Sequence, residues 1–211
     1  MLSKCLRLVL LIISSFDICA LDIIAKKNQG LVDLKSINPN IIIDLKYATS
    51  NNFTKQKVYN FNKCLVLYHV ALELDAIQKY LDKLGLRLKI WDGYRPLLAQ
   101  EKFWEILPDE RYVTNPKNGG GRHTRGTTVD VTLVDKSGKE LTMPTAFDDF
   151  SECAHRDYKQ ASREAMMNRD ILRNVMEKHG FTGIVAEWWH FDCLDWRKYP
   201  VLKFDVNSYI T

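Results

Sequence analysis

The chain has 211 residues, 46% hydrophobic and 27% charged, with a net charge of +4 and no block of like charges. That is one domain of ordinary size with enough apolar residues for a sizeable core. Its Lys and Arg are scattered, which excludes the clustered basic face of a nucleic-acid binder, and there is no internal repeat or low-complexity linker.

Lys4 and Arg7 precede an apolar run, Leu8 to Ile13, and small or polar residues follow up to Ala20. A basic start, a short greasy middle and a small residue before the cut are the layout of a secretory signal. Residues 1–20 are therefore expected to be removed on export to the periplasm or cell envelope, leaving 21–211 as the mature domain. The apolar run is too short for a stable membrane span, which takes about 20 residues. Of five cysteines, Cys5 and Cys19 would leave with the signal; Cys64, Cys153 and Cys193 allow at most one disulfide and include no close pair for a cysteine zinc site.

Ile41–Leu45 reads as a short buried strand. Leu74, Ile77, Leu81 and Leu84 fall at helical spacing, with Gly85 as a stop. Leu86, Leu88 and Ile90 then alternate with Arg87 and Lys89 as in a strand. Pro96 opens the next helix, through Gln100 and Trp104. Residues 108–127, rich in Gly, Pro, Asn and Thr, read as a long loop, of the kind that often carries function. Val129, Val131 and Leu133 alternate with Thr128, Asp130 and Thr132, so the apolar set faces the core and Asp130 the other side. A helix over roughly 155–179 turns Ile171, Leu172, Val175 and Met176 inward and ends at Gly180. GIVAEWWHFD, ending at Asp192, closes the chain's core as its last strand. Strands mixed with helices without regular alternation predict an α+β fold: a single domain with a mostly antiparallel central sheet flanked by helices.

Three stretches carry chemistry. In RHTRGTTVD, His123 and Asp130 are seven apart, which puts them on opposite faces of a straight strand; Gly126 allows the bend that brings both to one place. In AEWWHFD, His190 adds a second imidazole. Each of these residues alone fits a structural hydrogen bond, but two imidazoles and a carboxylate make the three-ligand set of a catalytic zinc that keeps its fourth position for water. Glu187 lies three before His190, which requires a bulge or a strand end if the two are to meet. It could take a proton from a zinc-activated water or hold a ligand histidine through a hydrogen bond. In WDGYRP, Asp92-Gly93 makes a turn and Pro96 restricts Arg95 to extended geometry, fixing a guanidinium at a strand mouth. Such a group suits an oxyanion, and equally a structural ion pair.

WDGYRP, then HTRGTTVD, then EWWH strongly resembles the D-alanyl-D-alanine dipeptidases, zinc enzymes related to the D-Ala-D-Ala carboxypeptidases. The similarity runs from about Ile41 to Asp192 and beyond, and KYATSNNFT and FDDF also look like family stretches. The resemblance implies one Zn2+ per chain, at the sheet, bound by His123, Asp130 and His190. It implies that Glu187 is the general base and then the acid, and that Arg95 stabilises the tetrahedral oxyanion. Tyr47 and Asp148 match positions that hold the substrate's amino group, and Tyr59 one that touches its carboxylate. Trp188 and Trp189 would pack around the metal. The implied partner is a small dipeptide, hydrolysed to two D-alanines. The family's small hydroxyl residues before the first histidine are replaced here by Gly121 and Arg122, so that either Arg122 takes part in carboxylate recognition, as expected here, or the pocket is wider. Two other readings stand beside this one: a D,D- or L,D-carboxypeptidase trimming peptidoglycan stem peptides, and a zinc-holding binding domain without turnover. The presence of both Glu187 and Arg95 speaks against the last, because a structural zinc needs neither.

Overall fold

The structure, a computed structural model, describes residues 30–204 and 206; the expected signal, residues 1–20, lies outside them. Within the described residues, seven strands form two sheets. Strand β1 (Leu31–Asp33) pairs antiparallel with β3 (Leu65–Leu67) in a small sheet. The central sheet has the order β2 (Ile42–Ile43), β4 (Leu86–Asp92), β5 (Thr128–Asp135), β7 (Glu187–Cys193), β6 (Phe181–Ile184). Of these described pairs only β2–β4 is parallel, in keeping with the mostly antiparallel sheet expected. Among the described residues the helices are the one-turn α1 (Leu34–Ile37), then α2 (Tyr68–Leu84), α3 (Leu97–Ile106) and α4 (Arg163–Lys178).

Leu88, Ile90, Val129, Val131, Leu133 and Phe191 share one face of the sheet and are wholly buried. Helix α2 packs on β4, and α4 packs on β5, β6 and β7. Helix α2 buries Leu74, Ile77 and Leu81 as the spacing predicts, whereas Leu84, in its last turn, is 53% exposed. Gly85 stops it with φ +73, a left-handed cap.

Two irregularities in the sheet matter for function. Ile90 pairs with Val131, but Asp92 pairs with Asp130, so Trp91 is an extra residue. This bulge reverses the alternation of β4 and turns Asp92 to the polar face. On the other side, Gly183 pairs with Phe191 and Ile184 with Glu187, so β7 bulges through Trp188, Trp189 and His190. That is the break in alternation that the Glu187–His190 spacing requires.

Several elements differ from the sequence expectation. GIVAEWWHFD is not one strand but a hairpin: β6 and β7 are joined through Val185 and Ala186, residues without a turn signature. The helix expected over 155–179 begins at Arg163, because the Ser162 side chain accepts from Ala165 N and caps it there. The strand expected over Ile41–Leu45 is only Ile42–Ile43, since Leu45 already caps a short turn, Lys46–Ala48. The loop at 108–127 holds two further single turns, Pro116–Asn118 and His123–Arg125. Cys64, Cys153 and Cys193 are free thiols.

Candidate metal centre and active site

Register builds the site. Asp92, Asp130 and His190 lie opposite one another across β4, β5 and β7, so their side chains share the polar face at one level. Two residues along, Thr128 pairs with Asp192 on the same face. His123 arrives from its single turn before β5. Gly126 ends that turn with φ +70, and a Cβ there would meet Leu31 Cδ2 at 2.7 Å, so only glycine makes this bend. The turn is tied to the WDGYRP loop twice: His123 Nδ1 contacts the Gly93 carbonyl at 2.9 Å, and Arg95 N donates to the His123 carbonyl at 3.2 Å.

His123, Asp130 and His190 are buried and each turns one ligand atom to a common centre, all within 4.8 Å of one another. His123 Nε2 is 3.4 Å from Asp130 Oδ2, and His190 Nδ1 is 3.2 Å from Asp130 Oδ1. The other ring nitrogens point away from the centre and are held: His123 Nδ1 on Gly93 O, and His190 Nε2 on Asp192 Oδ1 at 3.0 Å. Asp192 is itself fixed, accepting from the Thr128 hydroxyl at 2.8 Å and from Arg122 Nη1 at 2.7 Å. Zinc sites have this pattern: imidazole and carboxylate donors, with each histidine's second N–H engaged by a carboxylate or carbonyl. Charge agrees. Three buried carboxylates, Asp92, Asp130 and Glu187, share one buried arginine, Arg95, while Asp192 pairs with Arg122, an imbalance that favours a divalent cation. The donor set therefore fits zinc.

Electrostatics follow from this crowding. Burial pushes Glu187 up to about 8, with Asp130 and Asp148 adding and His190 opposing. For His190, burial lowers the value, but Asp192 and Asp130 outweigh it and raise it to about 10. For Asp130, burial raises, but the two imidazoles outweigh it and hold the carboxyl well below its ordinary value. The carboxylates that hold a proton on His190 would hold a cation in its place, so metal binding is proton-linked.

Glu187, at the start of β7, has Oε2 3.5 Å from His190 Nδ1, beside the metal-facing nitrogen. Arg95 directs Nε and Nη2 to Asp92 Oδ2 at 3.1 and 2.8 Å and Nη1 to Gln100 Oε1 at 3.0 Å, while Nη2 lies 3.9 Å from Asp130 Oδ2. Its guanidinium packs over the rings of Phe103 and Tyr47, at 4.7 and 5.3 Å. Arg95 thus forms a buried ion pair with Asp92 and also lines the cavity.

That cavity has a volume of about 480 Å³ and is walled by the three donors, Glu187, Arg95, Tyr47, Asp148, Arg122 and a set of aromatic rings that includes Trp189. Asp148 has φ +58, unusual for any residue but glycine. Its Oδ1 accepts from the Tyr47 hydroxyl at 2.9 Å and its Oδ2 from Phe53 N at 3.2 Å. Burial raises it to about 7, against the pull of these two hydrogen bonds. Trp188 packs on Trp91 and donates to Thr145. Arg122 lines the cavity with its side chain 33% exposed.

Tyr59 is the expected site residue that the structure does not bring to the cavity. It is 2% exposed, stacks on Phe61 and gives its hydroxyl to Asp92 Oδ1 at 2.9 Å. It supports Asp92, the carboxylate that grips Arg95, and does not face the substrate space. Sequence reasoning missed Asp92 as a partner of Arg95, and Asp192, Thr128 and Gln100 altogether. Asp192 had a signal: it lies two after His190 on one strand, hence on the same face.

Residues 27–208 match the family model of peptidase M15, described as D-Ala-D-Ala dipeptidase. The D-alanyl-D-alanine dipeptidase of Escherichia coli is 36% identical over 181 residues, 86% of this chain and 93% of that protein. That of Enterococcus faecalis is 34% identical over 197 residues, 84% of this chain and 97% of that protein. That of Streptomyces coelicolor is 32% identical over 185 residues, 77% and 90% of the two chains. A zinc-competent His–Asp–His centre and sequence similarity over nearly the whole described chain agree: this protein belongs to the D-Ala-D-Ala dipeptidase family of M15 peptidases.

Proposed function

We propose that the chain is a zinc metallopeptidase that hydrolyses D-alanyl-D-alanine to two D-alanines. The observation that carries this reading is the convergence of the His123, Asp130 and His190 donors within 4.8 Å, with Glu187 3.5 Å from His190, in one cavity with Arg95 and Asp148. When bound by these three residues, zinc supplies Lewis acidity and a water whose pKa falls from about 15.7 towards 7. Glu187 accepts the proton of the attacking water and returns it to the leaving nitrogen. Arg95 directs its remaining donors at the carbonyl oxygen as that oxygen gains charge. Asp148, braced by Tyr47, pairs the substrate's ammonium, and Arg122 pairs its carboxylate. A longer peptide would face Asp148 with an amide in place of the ammonium and leave a largely buried charge unpaired. The test is a series run with zinc-loaded protein: D-Ala-D-Ala, a D-Ala-terminated pentapeptide and L-Ala-L-Ala. The dipeptide of D-residues should be cleaved. Preference for the pentapeptide would make the chain a carboxypeptidase, and binding without cleavage a binding domain.

The role given to Asp148 has a pH signature. Burial raises its carboxyl to about 7, so the group is neutral below that pH and ionised above it. An ammonium needs the ionised form. The Michaelis constant should therefore rise as pH falls through about 7, and Asp148→Ala should raise it above that pH, the two proteins converging below it. A charge-assisted hydrogen bond contributes on the order of 1.5–3 kcal/mol, so the expected loss is about tenfold to a hundredfold. Steady-state kinetics across that range decide it; a Michaelis constant unchanged in the variant removes Asp148 from the ammonium.

Arg122 is already engaged by Asp192. If it also meets the substrate, Arg122→Ala should weaken the free acid on the order of tenfold more than the C-terminal amide of the same dipeptide. Equal losses on both would confine Arg122 to holding Asp192.

We also propose export. Protein taken from the cell envelope should give an N-terminal sequence beginning near Leu21. Recovery of the full-length chain from the cytoplasm would contradict it.

A further inference from the structure

Gly121 stands where the family resemblance implies a small hydroxyl residue. Its backbone is not left-handed, so conformation alone does not demand glycine. Space does. A Cβ on Gly121 would lie 2.8 Å from Gln100 Oε1 and 3.0 Å from Gln100 Cδ. Gln100 sits in the first turn of α3 and is 1% exposed. Its Oε1 accepts from Arg95 Nη1 at 3.0 Å, and its Nε2 donates to the Thr114 carbonyl at 2.7 Å. The chemistry fixes this orientation of the amide, because arginine has no acceptor and a carbonyl no donor.

The contact completes a clamp. A guanidinium has five N–H donors. Asp92 takes Nε and one hydrogen of Nη2 on one edge, and Gln100 takes one hydrogen of Nη1 on the other. Each terminal nitrogen keeps one hydrogen, so the plane of the group is set from both sides before substrate arrives. The Phe103 and Tyr47 rings cover its face, but Asp92 alone would hold only one edge by hydrogen bonds.

We propose that Gln100 is a positioning residue for Arg95, and that residue 121 is glycine to leave the Gln100 carboxamide its place. The inference rests on the reading of Arg95 as the group that meets the developing oxyanion. A donor that acts only as charge develops should change kcat and leave KM nearly alone. Gln100 acts through that donor and should do the same. A glutamine that merely satisfied the Thr114 carbonyl would lower the melting temperature and leave kcat intact.

The experiment measures kcat, KM and melting temperature on D-Ala-D-Ala for zinc-loaded Gln100→Ala, Gly121→Ala, the double variant and Arg95→Lys. Gln100→Ala should lower kcat on the order of tenfold, the scale of one hydrogen bond, with KM within about twofold. Gly121→Ala should do likewise, because its Cβ displaces the carboxamide. The double variant should be no worse than Gln100→Ala, since removing the carboxamide leaves room for that Cβ. A folded Gln100→Ala with full kcat overturns the proposal, as does a double variant whose loss is the product of the two single losses. Should Gln100→Ala not fold, Gly121→Ala decides alone: a kcat loss at constant KM supports the proposal and an unchanged kcat overturns it. If Arg95→Lys also keeps full kcat, the oxyanion reading itself has failed. If Arg95→Lys is crippled while Gln100→Ala and Gly121→Ala are not, only the positioning role has.

Discussion

Glu187→Gln is expected to fold, to keep about one zinc per chain and to lose activity by about 10²–10⁴-fold, the usual contribution of a general acid–base. Glutamine has the same shape and can still occupy the buried place beside His190, where Glu187 Oε2 is 3.5 Å from Nδ1. It cannot take a proton at neutral pH. His190→Ala is the contrast: it removes one of three converging donors and should lose the metal along with the activity. Metal analysis of the purified variants, beside an assay for released D-alanine, separates the two roles. Loss of zinc from Glu187→Gln would make Glu187 a ligand or a ligand's support. Full activity with full zinc would place the proton transfer elsewhere.

Arg95→Lys should lower kcat by about 10²–10³-fold with KM little changed, the range for removing one oxyanion donor. An ammonium keeps the charge but has three donors on a flexible stem and no planar fork. Arg95 meets Asp92 through two nitrogens and Gln100 through a third, and a lysine cannot serve both and still reach the substrate. Asp92 is 0% exposed, so the variant should also melt earlier, as a buried carboxylate is left with a poorer partner. An earlier melt with unchanged kcat would reduce Arg95 to a structural ion pair.

What could be read beforehand depended on how local each feature is. The alternation at 86–90 and at 128–133 announced β4 and β5, and the stripe Leu74, Ile77, Leu81 announced α2, because period and burial coincide there. The hairpin of β6 and β7 was read as one strand because Val185 and Ala186 carry no turn chemistry, and the small β1–β3 sheet has strands of three residues, too short for a pattern. In the site, the residue types of His123, Asp130, Glu187 and His190 announced chemistry. Glu187 and His190 meet through the bulge that their spacing requires, and His123 joins Asp130 through the bend at Gly126, whereas the bulge at Trp91 that turns Asp92 to the site had no signal in the spacing. Partners distant in sequence stayed hidden: Tyr59 reaches Asp92 across 33 positions and Arg122 reaches Asp192 across 70, and no local pattern encodes either contact.

Zinc held by His123, Asp130 and His190 is what makes this cavity competent to cleave D-Ala-D-Ala in the mechanism proposed above. The decisive measurement is D-alanine release from D-Ala-D-Ala by protein stripped with a chelator and then reloaded with counted equivalents of zinc. Stripped protein should release none, and activity should rise with added zinc to a plateau at about one equivalent per chain. Undiminished hydrolysis by fully stripped protein, or none by the folded, zinc-loaded chain, would contradict the mechanism.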